Sequence, residues 1–425
     1  MFAARTSAAR SASRIARNFA TVVDSAGVKV AAVDNGEATS AVTFLVKAGS
    51  RYQPKPGVAH ALQNFAFKST GKRSALGTVR EAELYGGVLT SSLGREHLAL
   101  TAEFLRGDES FFVDVLSSFV TNAKFTRHEF TEYVAPVCAA ESTAAASNPA
   151  TRALELAHAL AFRNGLGAPL FSAEHNDIVV ENIKDFASSV FSKGNIAVLG
   201  TGISQEALTQ LVEKSLNTLA ASGSPSSPAS TYFGGETRVD QHGGPETVFI
   251  GFGKTGSFSP ELAVLSAHLS PAPSVKWSKG LSPIAAGIPE GTSVQTVLLP
   301  YSDASLFGLL VQGPNAESVK AAGKAAVTGL KEAAAGVKGD DLKKAIAKAK
   351  FAAAASAEGR SGLVASLGSK VLAGSPVSLE STISSFDKVN SSAFSQATSA
   401  LLKSKPVYVA VGDVGTLPYA DELGL

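Results

Sequence analysis

The hydrophobic pattern of this chain switches between strand and helix periods, and it does so twice in the same order. Val28–Val33 (VKVAAV) and Ser40–Val46 (SAVTFLV) are apolar runs of strand length on either side of Asp34-Asn35-Gly36. Asn-Gly between two such runs predicts a hairpin. Apolar positions then take helical spacing over Val58–Lys68 and about Val79–Leu84, and return to strand patterning at Gly87–Thr90 and Leu98–Phe104 (LALTAEF). Longer helical patterns cover Phe111–Ala123, Arg127–Ser147 and Pro149–Phe162. A short helix at Ile183–Val190 precedes a strand at Ile196–Leu199.

The second half repeats the order. Thr247–Phe252 reads as a strand, Glu261–Leu269 as a helix, and Ser293–Leu299 and Leu306–Gln312 as strands. Helical patterns follow at Ala316–Ala335, Asp340–Ala357, Gly362–Val371 and Ser395–Lys403, before a last strand at Val407–Val411. LTAEFLRG ends at Gly107 and FGLLVQG at Gly313; IAVLG ends at Gly200 and YVAVG at Gly412. Similar offsets between matching landmarks predict an internal duplication. Between the halves, Ala220–Ser230 (AASGSPSSPAS) has a linker's composition. The expectation is an α+β protein with two homologous domains, 20–219 and 231–425, joined by linker 220–230, each a mixed sheet packed with helices.

Composition narrows the function classes. With 425 residues, 45% hydrophobic and 17% charged, the chain can bury more than one core. A net charge of +2 is too mild to argue for nucleic acid. One cysteine, Cys138, excludes an internal disulfide framework and a cysteine-cluster metal site. No window approaches the ~18 consecutive apolar residues that predict a membrane-spanning helix. Residues 1–19 (MFAARTSAARSASRIARNF) carry Arg5, Arg10, Arg14 and Arg17, no acid, and mostly serine and alanine otherwise. Arg10, Arg14 and Arg17 share one helix face, with Ile15 and Phe19 opposite. This is the profile of a mitochondrial transit peptide, and Arg17-Asn18-Phe19-Ala20 resembles a matrix cleavage site.

The candidate chemistry lies in Gly49–Thr70, GSRYQPKPGVAHALQNFAFKST. His60, Gln63 and Asn64 stand at i, i+3 and i+4 of a predicted helix, on one face. Val46–Leu105 resembles the pitrilysin/processing-peptidase family, whose helix reads H-x-x-E-H: two imidazoles bind zinc and the carboxylate activates the bound water. The family's third ligand is a Glu about 77 residues beyond the second motif histidine, which here falls on Glu141, with a family-like Asn148-Pro149 following. Two positions depart from the pattern. Gln63 replaces the catalytic Glu, and an amide cannot take a proton from water at neutral pH. Asn64 replaces a zinc-binding His, and an amide oxygen is a poor zinc ligand. The resemblance therefore implies an inactive peptidase homologue with no metal and no cofactor. On this reading His60 is a partly buried, hydrogen-bonded helix residue and Glu141 an ordinary helix acid.

No other feature rescues chemistry. His97, His128, His158, His175, His242 and His268 form no ligand pair at i, i+4. Gly165–Gly167 and Gly200-Thr201-Gly202 have no phosphate-loop spacing and read as turns. The eight lysines of Lys320–Lys350 read as the solvated face of helices. Trp277, in PSVKWSKG, is an interface anchor or fills a local pocket.

Two kinds of non-catalytic relative fit the degenerate helix. The presequence-binding subunit of the matrix processing peptidase typically carries a polyglycine loop, whereas His268–Thr292 holds only Gly280, Gly287 and Gly291. Val275-Lys276-Trp277-Ser278 and the low-charge, Ala/Ser-rich sequence are similar to the core subunits of ubiquinol–cytochrome c reductase. That resemblance implies a scaffold on the matrix side of the inner membrane, peripheral and held by protein contacts. Its implied partners are a second core subunit, cytochrome b, cytochrome c1 and the iron–sulfur protein, in a dimeric multi-subunit complex.

Overall fold

The structure, a computed structural model, describes residues 22–25, 27–34, 36–173, 177–221, 225, 227–272, 282–373 and 379–425. The presequence-like segment 1–19, Asn35, His175, part of the linker and the stretch around Trp277 lie outside the described residues.

The first sheet contains β1 (Val23–Ser25), β2 (Val28–Val33), β3 (Thr39–Val46), β4 (Val88–Leu93), β5 (Leu98–Leu105) and β6 (Ile196–Thr201), in the order β1-β2-β6-β3-β5-β4. β2 and β6 run parallel, with Val30 opposite Val198; the other pairs are antiparallel, with Phe44 opposite both Leu100 and Val198. The Asn-Gly hairpin expected between β2 and β3 does not form, because β6 is inserted between them. Both strands are apolar along nearly their whole length and buried on both faces. Such strands belong inside a sheet, with a neighbour on each side. The local turn survives: Gly36 has φ +70° and donates its N–H to Asp34 Oδ1 at 2.9 Å.

The second sheet contains β7 (Gly235–Asp240), β8 (Glu246–Thr255), β9 (Ser293–Pro300), β10 (Ala304–Gly313) and β11 (Val407–Gly412), ordered β7-β11-β8-β10-β9. Without β1, the first sheet has the same order strand for strand, and its one parallel pair, β2/β6, corresponds to β7/β11. The duplication expected from spacing is thus present in the topology.

Helices cover the sheets. In the first half these are α1 (Val58–Asn64), α2 (Ala75–Leu84), α3 (Glu109–Asn122), α4 (Arg127–Glu129, a π-helical turn Phe130–Val134 and Ala135–Ser147), α5 (Pro149–Phe162), α6 (Val180–Val190) and α7 (Gln205–Ser215). In the second they are α8 (Pro260–Leu269), α9 (Ala316–Ala335), α10 (Gly339–Ser356), α11 (Arg360–Ala373), α12 (Leu379–Asp387) and α13 (Ser391–Leu402). α1 is shorter than the expected Val58–Lys68; the chain leaves helical geometry before Phe67, at φ +63°. Asn148 accepts hydrogen bonds from the N–H groups of Ala150 and Thr151, and Pro149 occupies the first turn, so Asn-Pro serves as the start signal of α5. None of the eight lysines of Lys320–Lys350 is buried, in keeping with a solvated face.

The compact units are not the two chain halves. One comprises Met1–Ser142, Leu170–Ser227 and Ala354–Thr382; the other comprises Thr143–Pro169, Pro228–Ala353 and Ile383–Leu425. α5, from the first half, packs on β7, β8 and β11, and α11, from the second, packs on β2, β3 and β6. These strands correspond one to one, so each half lends the equivalent helix to the other half's sheet. Periodicity reports that a helix exists and has an apolar face; it does not report which sheet covers that face. Among the described residues no helix is long and apolar enough to cross a membrane.

Candidate functional site

The degenerate helix is held by its surroundings before its polar residues come into play. Gly57 enters α1 at φ +87°, a conformation that favours glycine. Gln53 Oε1 accepts from the N–H groups of Gly57 and Ala59 at 3.0 and 3.2 Å. Val58, Ala59, Ala61 and Leu62 are buried in the first unit's core. Upstream, Gly49 N–H donates to the Glu96 carbonyl, and a Cβ on Gly49 would lie 2.3 Å from the backbone C and O of Arg95. Only glycine permits that approach. It carries Arg51 into a buried ion pair with Glu96 at 2.9 Å, both side chains 5% exposed.

His60, Asn64 and Glu141, distant in sequence, meet. His60 is 1% exposed, deeper than the partly buried position expected. The Ser172 N–H donates to His60 Nδ1 at 3.1 Å, so the ring proton belongs on Nε2. Nε2 lies 2.7 Å from Glu141 Oε2 and donates to it. Asn64 Nδ2 donates to the same carboxylate oxygen at 2.9 Å, and also approaches the His60 carbonyl at 3.3 Å and Cys138 Sγ at 3.5 Å. The amide must present its nitrogen here, since its oxygen would face a carboxylate oxygen. Phe171 closes one side, its ring edge-on to His60 at 5.5 Å. Glu141 is therefore more than a solvated helix acid: one of its oxygens accepts from both other residues.

Gln63 turns elsewhere. Its Nε2 donates to the Ser91 carbonyl on β4 at 3.4 Å, and Ser91 Oγ donates to the Gln63 carbonyl at 3.3 Å. The residue at the catalytic Glu position is thus tied to a strand. Cys138, one helical turn before Glu141, is buried; burial, reinforced by the Glu141 carboxylate, pushes its thiol up to about 12, so it is no thiolate at neutral pH.

Zinc does not fit this arrangement. The position that should offer a second imidazole offers an N–H donor, and the His60 nitrogen facing Glu141 carries a proton. Two candidate ligands remain where three protein ligands are needed. Among the described residues no group of three or more His, Cys, Asp or Glu side chains could hold a metal ion.

His158 donates from Nδ1 to the Leu154 carbonyl at 2.6 Å and accepts at Nε2 from the Tyr301 hydroxyl at 2.7 Å. Burial lowers the pKa of His97 and of His268. His242 is exposed beside Asp240. Sequence reasoning missed Phe171, Ser172, Ser91 and Cys138 as neighbours of the site. Cys138 was accessible to it, three residues before Glu141 on one helix face. Nothing in the sequence marks a backbone N–H at Ser172.

Residues 29–174 match the family described as Insulinase (Peptidase family M16). Over its whole length the chain is similar to proteins named cytochrome b-c1 complex subunit 2, mitochondrial. The protein of that name from Cryptococcus neoformans var. grubii is 44% identical, over 99% of this chain and 98% of its own. The one from Yarrowia lipolytica is 37% identical over 96% and 97%, and the human one 28% identical over 93% and 90%. The twice-built sheet and the altered peptidase helix agree with these likenesses, and the chain belongs to the mitochondrial cytochrome b-c1 complex subunit 2 family, on the peptidase M16 fold.

Proposed function

We propose that the chain is a non-catalytic structural core subunit of mitochondrial ubiquinol–cytochrome c reductase. It would sit peripherally on the matrix side of the inner membrane, supporting assembly and stability through contacts with a second core subunit, cytochrome b, cytochrome c1 and the iron–sulfur protein. One observation carries the non-catalytic part of this reading: the Glu141 carboxylate is engaged by His60 Nε2–H and Asn64 Nδ2–H, where a working relative would hold a metal ion. A general base is missing as well, because Gln63 is an amide tied to Ser91. The whole-length likeness to complex subunits supports the assembly part.

Blue-native electrophoresis of mitochondria tests the placement. The chain is expected in a large cytochrome-containing band. Recovery only in a soluble matrix dimer with peptidase activity would replace this reading with that of a presequence-binding, non-catalytic processing-peptidase subunit. Chelator-sensitive proteolysis by the isolated recombinant chain would overturn the non-catalytic reading.

A further inference from the structure

The carboxyl end of the chain docks on the second unit without joining its sheet. After β11 the chain runs from Asp413 to Leu425 with no further strand. The Asp413 N–H donates to Glu246 Oε2 at 2.9 Å. Beyond it, backbone N–H groups find acceptors inside the segment. Thr416 and Leu417 donate to the Asp413 carbonyl, Tyr419 to Glu422 Oε2 at 2.9 Å, and Leu423 and Leu425 to the Ala420 carbonyl. The segment thus holds its own shape, and its links to the rest of the unit run through side chains.

Two kinds of contact hold it. Arg238 on β7 and Tyr408 on β11 stand on one face of the sheet, and both bind peptide carbonyls. Arg238 Nη1 donates to the Pro418 carbonyl at 2.8 Å, and Nη2 donates to the Leu417 carbonyl at 2.8 Å and to that of Val414. The Tyr408 hydroxyl also donates to the Pro418 carbonyl. The same guanidinium lies over the Tyr419 ring, 3.8 Å from its centroid. Lys320 and Lys331 on α9 donate to Glu422 Oε1 and to the Gly424 carbonyl, each at 2.6 Å. Between these polar points Leu417 and Leu423, 2% and 4% exposed, enter the second unit's core. Leu423 lies against Gly323, where a Cβ would come 3.1 Å from its Cδ1. Contacts to carbonyls are indifferent to side-chain identity; the two leucine seats are not.

Without the segment, the Arg238 side chain, only 14% exposed, would keep one carboxylate, Glu236 at 3.8 Å, and the leucine seats would open to water. We propose that Asp413–Leu425 is an intramolecular peptide ligand. The second unit carries a groove, built by Arg238, Tyr408, Lys320, Gly323 and Lys331, that takes a carboxyl-terminal peptide with leucines at these two positions. This stands independently of the role in the respiratory complex. A chain that lacks its end leaves the groove open, so the fold itself registers whether that end is intact.

Cutting the folded full chain tests the groove. Gly415 and Thr416 are exposed, and a site for a sequence-specific protease inserted between them lets the joint be severed after folding. The severed segment 416–425 is expected to stay bound through gel filtration and to be displaced by an added, labelled peptide of the same sequence. A peptide carrying Leu417→Ala and Leu423→Ala is expected to compete at least about tenfold more weakly, since burying even one leucine is worth about that factor. Arg238→Gln should release the severed segment sooner. Loss of the segment on cutting the unsubstituted chain, unfolding of the second unit, no uptake of the labelled peptide, equal competition by the two peptides, or unchanged release from Arg238→Gln would each overturn the proposal.

Discussion

His60 and Glu141 are joined directly, imidazole Nε2 to carboxylate Oε2 at 2.7 Å, with Asn64 on the same oxygen at 2.9 Å. In a zinc peptidase of this pattern the corresponding three side chains converge on a dication. Here they converge on each other, and the link between α1 and α4 becomes a pair of hydrogen bonds. Hydrogen bonds to a charged group contribute about 1.5–3 kcal/mol in favourable cases. The Glu141 side chain is 41% exposed, so the lower end applies.

His60→Ala should therefore be a stability lesion and not a functional one. Removing a buried ring and its two hydrogen bonds should cost about 2–4 kcal/mol. Turnover per assembled respiratory complex should stay unchanged. Thermal unfolding of the variant and ubiquinol–cytochrome c activity normalised to assembled complex measure the two effects. Reduced turnover with normal assembly would contradict the proposed role.

Restoring the missing groups should restore the metal. The double variant Gln63→Glu, Asn64→His offers two imidazoles and Glu141 on the helices that already bring His60 and Glu141 together. It is expected to purify with near-stoichiometric zinc that a chelator removes, whereas Gln63→Glu alone should not. Metal analysis after dialysis decides; a zinc-free double variant would mean that the α1–α4 separation no longer suits the ion.

Glu96→Ala should destabilise the first unit by about 3–5 kcal/mol, because it leaves Arg51 buried without its carboxylate. Gly49→Ala should act on the same corner by a steric route, costing about 3 kcal/mol or more, as its Cβ would meet the Arg95 backbone at 2.3 Å. Urea unfolding of each variant gives the values. A neutral Gly49→Ala would show that the Arg95 segment can yield.

Glu129 predicts an acid-sensitive contribution. Burial alone would raise its pKa, but hydrogen bonds from Ser69 and Thr126, with a smaller contribution from His128, hold it below the usual glutamate value. Its folded pKa lies below its unfolded one, so the stabilisation is complete above the unfolded value and fades as pH falls through the folded one. The stability gap between the native chain and Glu129→Gln should be widest near neutrality and close below about pH 4. Denaturant midpoints measured across that range give the sign; a gap that widens towards acid would contradict it.

Much of the fold was legible because the inner strands of both sheets are largely apolar and several of them end at or near glycines. Gly107, Gly200, Gly313 and Gly412 close matching strands in the two halves, and their spacing already carried the duplication. Pairing was less legible. Asp34-Asn35-Gly36 makes a turn in any context, and only a partner more than 150 residues away, β6, separates β2 from β3. The edge strand β7 and the helices α7 and α12 escaped the pattern because few of their side chains are buried. At the site, residue identity announced the deficit at Gln63 and Asn64. It could not announce that Asn64 turns its nitrogen inward, which follows from the Glu141 carboxylate oxygen that the amide faces.

The reciprocal loan of α5 and α11 constrains the order in which this polypeptide can mature. Emerging from its amino end, it presents the alanine face of α5 long before β11, the last strand that covers it, has been made. The first sheet in turn waits for residues beyond 350 to receive its outer helix. Neither half can finish ahead of the other, so nascent chains should remain chaperone clients until synthesis is nearly complete.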